Sequence, residues 1–245
     1  MSGKTHIQTI TIIGSGNVAY HYAKAMSEHN FSVKTICSRS TFAPQDLQSD
    51  LIVIAVKDEA IEAVATKIGR TNSILVHTSG FVATDCLAMA AENYGSLYPL
   101  QSLKKEKETD FSTVPLCTFA NNESTAELLR DFALTLSPIH YDLSDSQRKT
   151  LHLAAVFANN FTNHLFGIAK RILDRENIPF STLFPLMDTT LERAKQGNPF
   201  CVQTGPALRG EQSIMAQHKA KLSQDEKAIY DVLSKDIIHE HKKEK

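Results

Sequence analysis

His152, Asn159 and Asn163 lie within Thr150–Ala169, a segment without a Lys, Arg, Asp or Glu. At about 100° per residue along an α-helix, the three point within about 20° of one direction. Ala154, Phe157, Ala158, Phe161 and Leu165 take the opposite side. A solvent-facing stripe would carry Lys or Glu, so this one is expected to be buried against something polar, where imidazole and amide groups need hydrogen-bond partners. An imidazole titrates near neutral pH and suits proton donation; two amides suit orienting a polar substrate. Lys149, about one turn earlier, is a second candidate donor. The pattern equally suits an Asn–His hydrogen-bond network inside a helical domain or across a dimer interface, and alone it leaves both open.

A second constellation precedes it. The β-branched run Thr9–Ile13 ends in Gly14-Ser15-Gly16-Asn17-Val18-Ala19, and an amphipathic stretch, Tyr20–His29, comes next. Strand, glycine turn and helix form the context in which G-x-G-x-x-G/A reads as a dinucleotide fingerprint. Gly14 would allow the turn, Gly16 the close approach of a pyrophosphate, and Ala19 close helix–strand packing. Free N–H groups at the helix start would hold the phosphates.

The next strand runs into Ser38-Arg39-Ser40, where NAD-binding folds usually place an acid for the ribose hydroxyls. Guanidinium and flanking hydroxyls suit a 2′-phosphate, so the expected cofactor is NADP(H). Val56 and Lys57 end the third strand, and Thr78 and Ser79 end the fourth. Ligands sit at carboxyl ends of strands in such sheets, so these residues should border the cofactor. Ser79 is placed near the nicotinamide, or else closes an ST-turn. Lys57 is a phosphate ligand or a plain surface lysine. Tyr98 and Gln101 offer a phenol and an amide for a small-molecule substrate. Arg209 would clamp a carboxylate, pair with Glu211 or cap a helix.

The scaffold for these groups is legible in the same pattern. Strands are expected at Gln8–Ile13, Ser32–Cys37, Leu51–Val56, Ser73–His77, Ser96–Tyr98, Pro115–Ala120 and Ile139–Tyr141. Their early alternation with helical material implies a mostly parallel sheet. The connection Ser38–Asp50 is short for a crossover helix, and Lys104–Asp110 reads as a solvated loop. Ser144 and Gln147 have capping-box spacing. One long helix is expected from Asp145 to about Asn177, then helices over Ser181–Gln196, Gln212–Leu222 and Asp225–His239, with a frayed tail after them. The expected architecture is an α/β Rossmann domain, residues 1–143, followed by an all-helical domain, residues 144–245.

The chain has 245 residues and a net charge of −1. That balance gives no footprint for nucleic acid. The polar groups in Thr150–Ala169 argue against a membrane span. Cys37, Cys86, Cys117 and Cys201 lack metal or disulfide spacing and read as buried thiols. The opening MSGKTHIQ has no apolar h-region, so a cytoplasmic protein is expected. His239 and His241 lie in a charged tail, and no metal site is expected.

The motifs GSGNVA, SRS, HTSG, LYPLQSL, LHLAAVFANNFTNHL and QTGPALRGE, taken together, resemble the Rossmann-like proteins with a domain-of-unknown-function-2520 region. Their wider superfamily includes pyrroline-5-carboxylate reductases, β-hydroxyacid dehydrogenases, ketopantoate reductases and deazaflavin:NADP oxidoreductases. The resemblance implies a Rossmann domain, a helical domain that builds a homodimer, and hydride exchange between NADP and a small carbonyl or imine substrate, with a 2-keto acid one candidate. The chain departs from its relatives at Tyr98, where they carry His, and at Glu211, where they carry Asp. The lysine–asparagine pair of β-hydroxyacid dehydrogenases does not carry over, because Leu153 stands four residues after Lys149. Two alternatives remain: an NADP(H)-binding sensor or assembly protein without turnover, and a helical dimerisation module on a Rossmann domain that binds no nucleotide.

Overall fold

The computed structural model describes residues 7–243. All seven expected strands form, within two residues of the expected bounds. They are β1 (Thr9–Ile13), β2 (Ser32–Ile36), β3 (Leu51–Ile54), β4 (Ile74–His77), β5 (Tyr94–Pro99), β6 (Leu116–Ala120) and β7 (His140–Asp142). They make one sheet of order β2-β1-β3-β4-β5-β6-β7. All neighbours run parallel except β5 and β6, which pair antiparallel.

Period-two alternation explains why β3 reads as a continuous apolar run. Leu51 and Val53 enter one core with β1 residues Ile10 and Ile12, while Ile52 and Ile54 enter the other with Leu75 of β4. A strand covered on both faces has no polar side. The helices α1 (Asn17–Glu28) and α3 (Glu123–Leu136) supply Tyr22, Met26, Leu129 and Phe132 to the first core. Helix α2 (Ile61–Ile68) supplies Ile61, Val64 and Ala65 to the second.

The chain leaves β1 toward β2 on one side and returns to β3 on the other, so the strand order reverses between β1 and β3. This is the position at which open α/β sheets bind ligands. The connection from β2 to β3 has only a 3₁₀ turn, Pro44–Leu47, in line with its length.

Helix α4 (Asp145–Ala155) begins at the expected capping box: Ser144 Oγ accepts from the Gln147 N–H, and Gln147 Oε1 accepts from the Ser144 N–H. Beyond α4 the expected uniform helix is interrupted. A π-helical turn, Val156–Phe161, separates α4 from α5 (Thr162–Asp174). A π turn adds a residue without breaking the helix, and no proline or glycine marks it. The 100° step that aligned His152 with Asn159 and Asn163 therefore does not hold across it.

The chain divides into two compact units, one ending at Ala158 and the other beginning at Asn159. The second unit contains α5, α6 (Phe184–Gln196), the short α7 (Pro206–Arg209), α8 (Gln212–Ala220) and α9 (Gln224–Lys243). The tail is not frayed where described: α9 continues through His239 and His241, and residues 244 and 245 lie outside the described residues. Of the second unit's described apolar side chains, only Ile168, Ala207 and Met215 are buried. No helix among the described residues is long and apolar enough to cross a membrane. The thiols also differ from expectation. Cys117 is buried, but Cys37, just beyond the end of β2, and Cys201 are exposed.

Candidate functional site

The glycine turn closes onto the strand-order reversal. Gly14 has φ +150°, and a Cβ there would stand 2.1 Å from the Ala55 carbonyl oxygen at the end of β3. Only glycine fits this approach. Ala19 is buried, and its own Cβ lies 3.5 Å from where a methyl on Gly14 would stand, which is the close helix–strand contact expected of it. Gly16 has open space where a Cβ would be. Helix α1 starts there with no side-chain cap and no acid in its first turn, so its leading N–H groups remain available to an anion.

The turn borders an open cleft of about 1060 Å³, wholly within the first unit. Ser15, Gly16, Asn17 and Val18 line one part of it. Ser38 and Arg39 follow β2, Val56 and Lys57 follow β3, and Gln101 follows β5. Lys67, which the sequence did not single out, also lines it and shapes the Ser38–Ser40 loop. Its Nζ donates to the Ser38 carbonyl at 3.0 Å and the Ser40 carbonyl at 2.6 Å, and lies 4.5 Å from the Phe42 ring centre. The cleft thus presents Arg39, Lys57 and Lys67 together with open glycine backbone, a donor set that fits a phosphorylated dinucleotide.

A second cluster lies at the carboxyl ends of β4 and β5. The Tyr98 hydroxyl and His152 Nδ1 are 3.1 Å apart, with their rings edge-on. Burial, with smaller contributions from Cys117 and Asp58, pushes the Tyr98 phenol up to about 12. It stays neutral at physiological pH, and its hydroxyl shares one hydrogen bond with His152 Nδ1. Gly80 makes room for both rings: a Cβ there would meet His152 Nδ1 at 2.6 Å and Tyr98 Cζ at 2.8 Å. Lys149 Nζ lies 5.8 Å from the centre of the Phe81 ring, on the same loop as Gly80.

Arg148 holds this cluster in place. Fully buried, it donates to Ser96 Oγ at 2.8 Å, to Asp145 Oδ1 at 2.7 Å and to the Val82 carbonyl. Asp145 also accepts from the Thr84 N–H at 2.7 Å, and these bonds hold its carboxyl below the usual range against the opposing effect of burial. Arg148 and His152 are four apart on α4, and Ser96 and Tyr98 are two apart on β5. Those spacings advance about 6 Å and about 6.7 Å, so the two contacts form successive rungs between helix and strand. His77 is buried and its Nδ1 accepts from the Ser79 N–H at 3.2 Å. Burial, then the nearby Arg148 charge, lowers its pKa to about 4.

The remaining expected residues fall elsewhere. Ser79 is buried and Thr78 with it; Ser79 Oγ accepts from the N–H groups of Phe81 and Val82, both at 3.0 Å, which is the ST-turn alternative. Asn159 and Asn163 belong to the second unit and are exposed, not buried as the uncharged stripe implied. Arg209 makes the Glu211 pair, at 2.8 and 2.9 Å. Lys104–Asp110 is exposed but tied down: His21 Nε2 lies 2.9 Å from the Lys104 carbonyl, Lys24 pairs with Glu108, and Lys105 Nζ donates to the Ser15 carbonyl. Arg148 escapes the sequence reading because an isolated arginine in a helix looks like a surface residue. Gly80, inside HTSG, is the one visible sign that something bulky packs over that loop.

The family model described as domain of unknown function (DUF2520) matches residues 114–237. A crystal structure from Bacteroides fragilis, described as a candidate NADP oxidoreductase, is 30% identical with a TM-score of 0.83, over 95% of this chain and 98% of that one. A protein from Thermotoga maritima is 18% identical with a TM-score of 0.70, over 96% and 99%. A reductive aminase from Aspergillus terreus, in complex with NADPH and ethyl levulinate, is 12% identical with a TM-score of 0.66, over 96% and 95%. No curated protein matches the chain.

Proposed function

The chain belongs to the DUF2520 family, and on that basis we propose that it is an NADP-dependent oxidoreductase acting on a small carbonyl or imine compound. The observation that carries the reading is the Tyr98–His152 pair, built into the same unit as the glycine-turn cleft. The similar Bacteroides fragilis protein, described in terms of NADP oxidoreduction, supports it.

The cofactor residues are those of the cleft and the adjoining Ser40. Ser15, Gly16, Asn17 and Val18 offer backbone to the pyrophosphate. Ser38, Arg39 and Ser40 receive the 2′-phosphate, with Lys67 fixing their loop and adding a second cation. NADPH, when bound, supplies a hydride that reduces the C=O or C=N carbon, leaving NADP⁺ and an oxygen or nitrogen that takes up one proton.

Tyr98 and His152 supply that proton. A phenol held near 12 is too weak an acid to release a proton unaided at neutral pH. Its hydrogen-bonded neighbour resolves this: as Tyr98 gives its proton outward, His152 returns one through Nδ1 and takes one up from water at Nε2. The pair then acts as one acid, at no stage carrying a phenolate. Lys149 is close enough to the Phe81 loop to serve as a neighbouring cation. Asn159, Asn163 and Arg209 carry no step here.

The protein also works as a homodimer in this reading. A unit that buries only Ile168, Ala207 and Met215 of its described apolar side chains has a small core of its own. Leu186, Leu191, Phe200 and Val232 are among those left exposed, and a second copy would cover them.

The experiment is to follow NADPH consumption with a panel of 2-keto acids, aldehydes and cyclic imines, identifying the product. Reduction of one class with matching NADP⁺ formation supports the proposal. NADPH binding without reduction of any of them contradicts it.

A further inference from the structure

The charged run Lys104–Asp110 comes directly after the segment that lines the cleft, Gln101, Ser102 and Leu103. Leu103 is buried and anchors that segment. Beyond it the chain is pinned along α1: the Lys104 carbonyl at His21, and Glu108 at Lys24, one turn further on. His21 itself is buried, so this is a fixed attachment and not a brush of surface side chains.

Between those two anchors, Lys105 reaches back to the glycine turn. Its Nζ donates to the Ser15 carbonyl at 2.6 Å and lies 6.0 Å from the centre of the exposed Tyr20 ring. Ser15 is the residue between the two glycines, and its neighbours Gly16, Asn17 and Val18 all border the cleft. An ammonium has three donors and one is used here. The others are available to an anion seated on the turn. A lone solvated lysine would have no reason to be held at this carbonyl by attachments on both sides.

We propose that Lys105 is a ligand of the cofactor pyrophosphate, carried over the glycine turn by a strap, residues 101–108, that is pinned to α1. The proposal rests on the dinucleotide reading of the cleft. Lys105 meets the part of the cofactor common to NADPH and NADH, whereas Arg39 and Lys67 flank the part that differs. Because the strap continues from Tyr98 and Pro99, occupancy of the turn also firms the segment that leads from the proton-donating pair.

The test is to titrate wild type, Lys105→Met and Lys105→Arg with NADPH and with NADH, reading cofactor fluorescence. Loss of a charge-assisted hydrogen bond should weaken both dinucleotides about tenfold in Lys105→Met. The NADPH-to-NADH ratio should stay unchanged, and Lys105→Arg should recover most of the affinity. Hydrogen exchange at residues 101–108 should slow when NADPH is added to wild type and slow less in Lys105→Met. Wild-type affinities in Lys105→Met, or a loss confined to NADPH, would overturn the proposal alone. Wild type binding neither dinucleotide would overturn the cofactor reading with it.

Discussion

His152 Nδ1 stands 3.1 Å from the Tyr98 hydroxyl, with Gly80 packed so closely against both rings that no side chain fits at that position. The fully buried Arg148, bonded to Ser96 one rung away, sets the distance between the helix and strand that carry them. A hydrogen bond between groups so fixed exists before any ligand arrives, which is what a preorganised proton donor requires.

If the pair acts as one acid, its members should be non-additive. Tyr98→Phe and His152→Ala should each lower turnover by roughly 10²–10⁴-fold. The double variant should be little worse than either single one. NADPH affinity should be nearly unchanged in all three, because the pyrophosphate turn lies elsewhere in the unit. Steady-state kinetics with separate cofactor titrations check this; multiplying losses would show two independent roles.

Gly80→Ala tests the same geometry without removing a reacting group. Its methyl would need the space now held by His152 Nδ1 and Tyr98 Cζ. Displacing the pair by about 1 Å should cost about 10²-fold in turnover. Cofactor binding should persist, and a crystal structure of the variant should show the Tyr98–His152 contact broken.

Arg39→Ala and Lys67→Met should each erode the preference for NADPH over NADH. Losing a charge-assisted phosphate contact is worth on the order of 1.5–3 kcal/mol, roughly ten- to a hundredfold in affinity. Lys67→Met should also loosen the Ser38–Ser40 loop, whose two carbonyls it holds. Equal wild-type affinities for the two dinucleotides would contradict the placement of the 2′-phosphate.

Acid should destabilise the first unit through His77. Its pKa falls from the ordinary 6.5 to about 4 on folding, so between those values the unfolded chain holds a proton that the folded chain refuses. Stability is therefore full above about pH 6.5 and declines as the pH falls toward 4, by on the order of 3 kcal/mol for this group. His77→Asn keeps an acceptor for the Ser79 N–H and removes the titration. Urea unfolding across this range should show a shallower pH slope in the variant.

Much of this architecture is legible in the sequence because it rests on local signals. Strands β1 to β4 are rich in β-branched residues, and the glycine turn and the capping box at Ser144 are short motifs. The Tyr98–His152 pair needs tertiary information. Tyr98 and His152 are each visible as chemistry, but their meeting depends on β5 and α4 lying side by side through a buried arginine. The misplaced stripe has a different cause: no residue announces the π turn at Val156–Phe161, and a uniform helical step carries His152, Asn159 and Asn163 to one face. The charged run near Lys105 reads as solvent-exposed, which it is, but its contacts with His21, Lys24 and Ser15 come from distant sequence.

The proposed homodimer should depend on the apolar side chains that the second unit leaves uncovered. Leu186→Asp together with Val232→Asp, both at well-exposed positions, should convert a dimer at micromolar concentration into a monomer of lower thermal stability. Light scattering on wild type and variant decides it, and a wild-type monomer at all concentrations would contradict the reading.

In the proposed reaction the chain moves hydride from NADPH to a carbonyl or imine carbon while Tyr98 and His152 supply the proton. The most direct measurement is a single turnover with NADPH deuterated at C4 of the nicotinamide, using mass spectrometry to locate the label in the product. Wild type should place one deuterium on the reduced carbon. Tyr98→Phe and His152→Ala should bind the cofactor normally and transfer the label roughly 10²–10⁴-fold more slowly. Tight NADPH binding with no label transferred to any carbonyl or imine compound, or transfer at the wild-type rate in both variants, would contradict this mechanism.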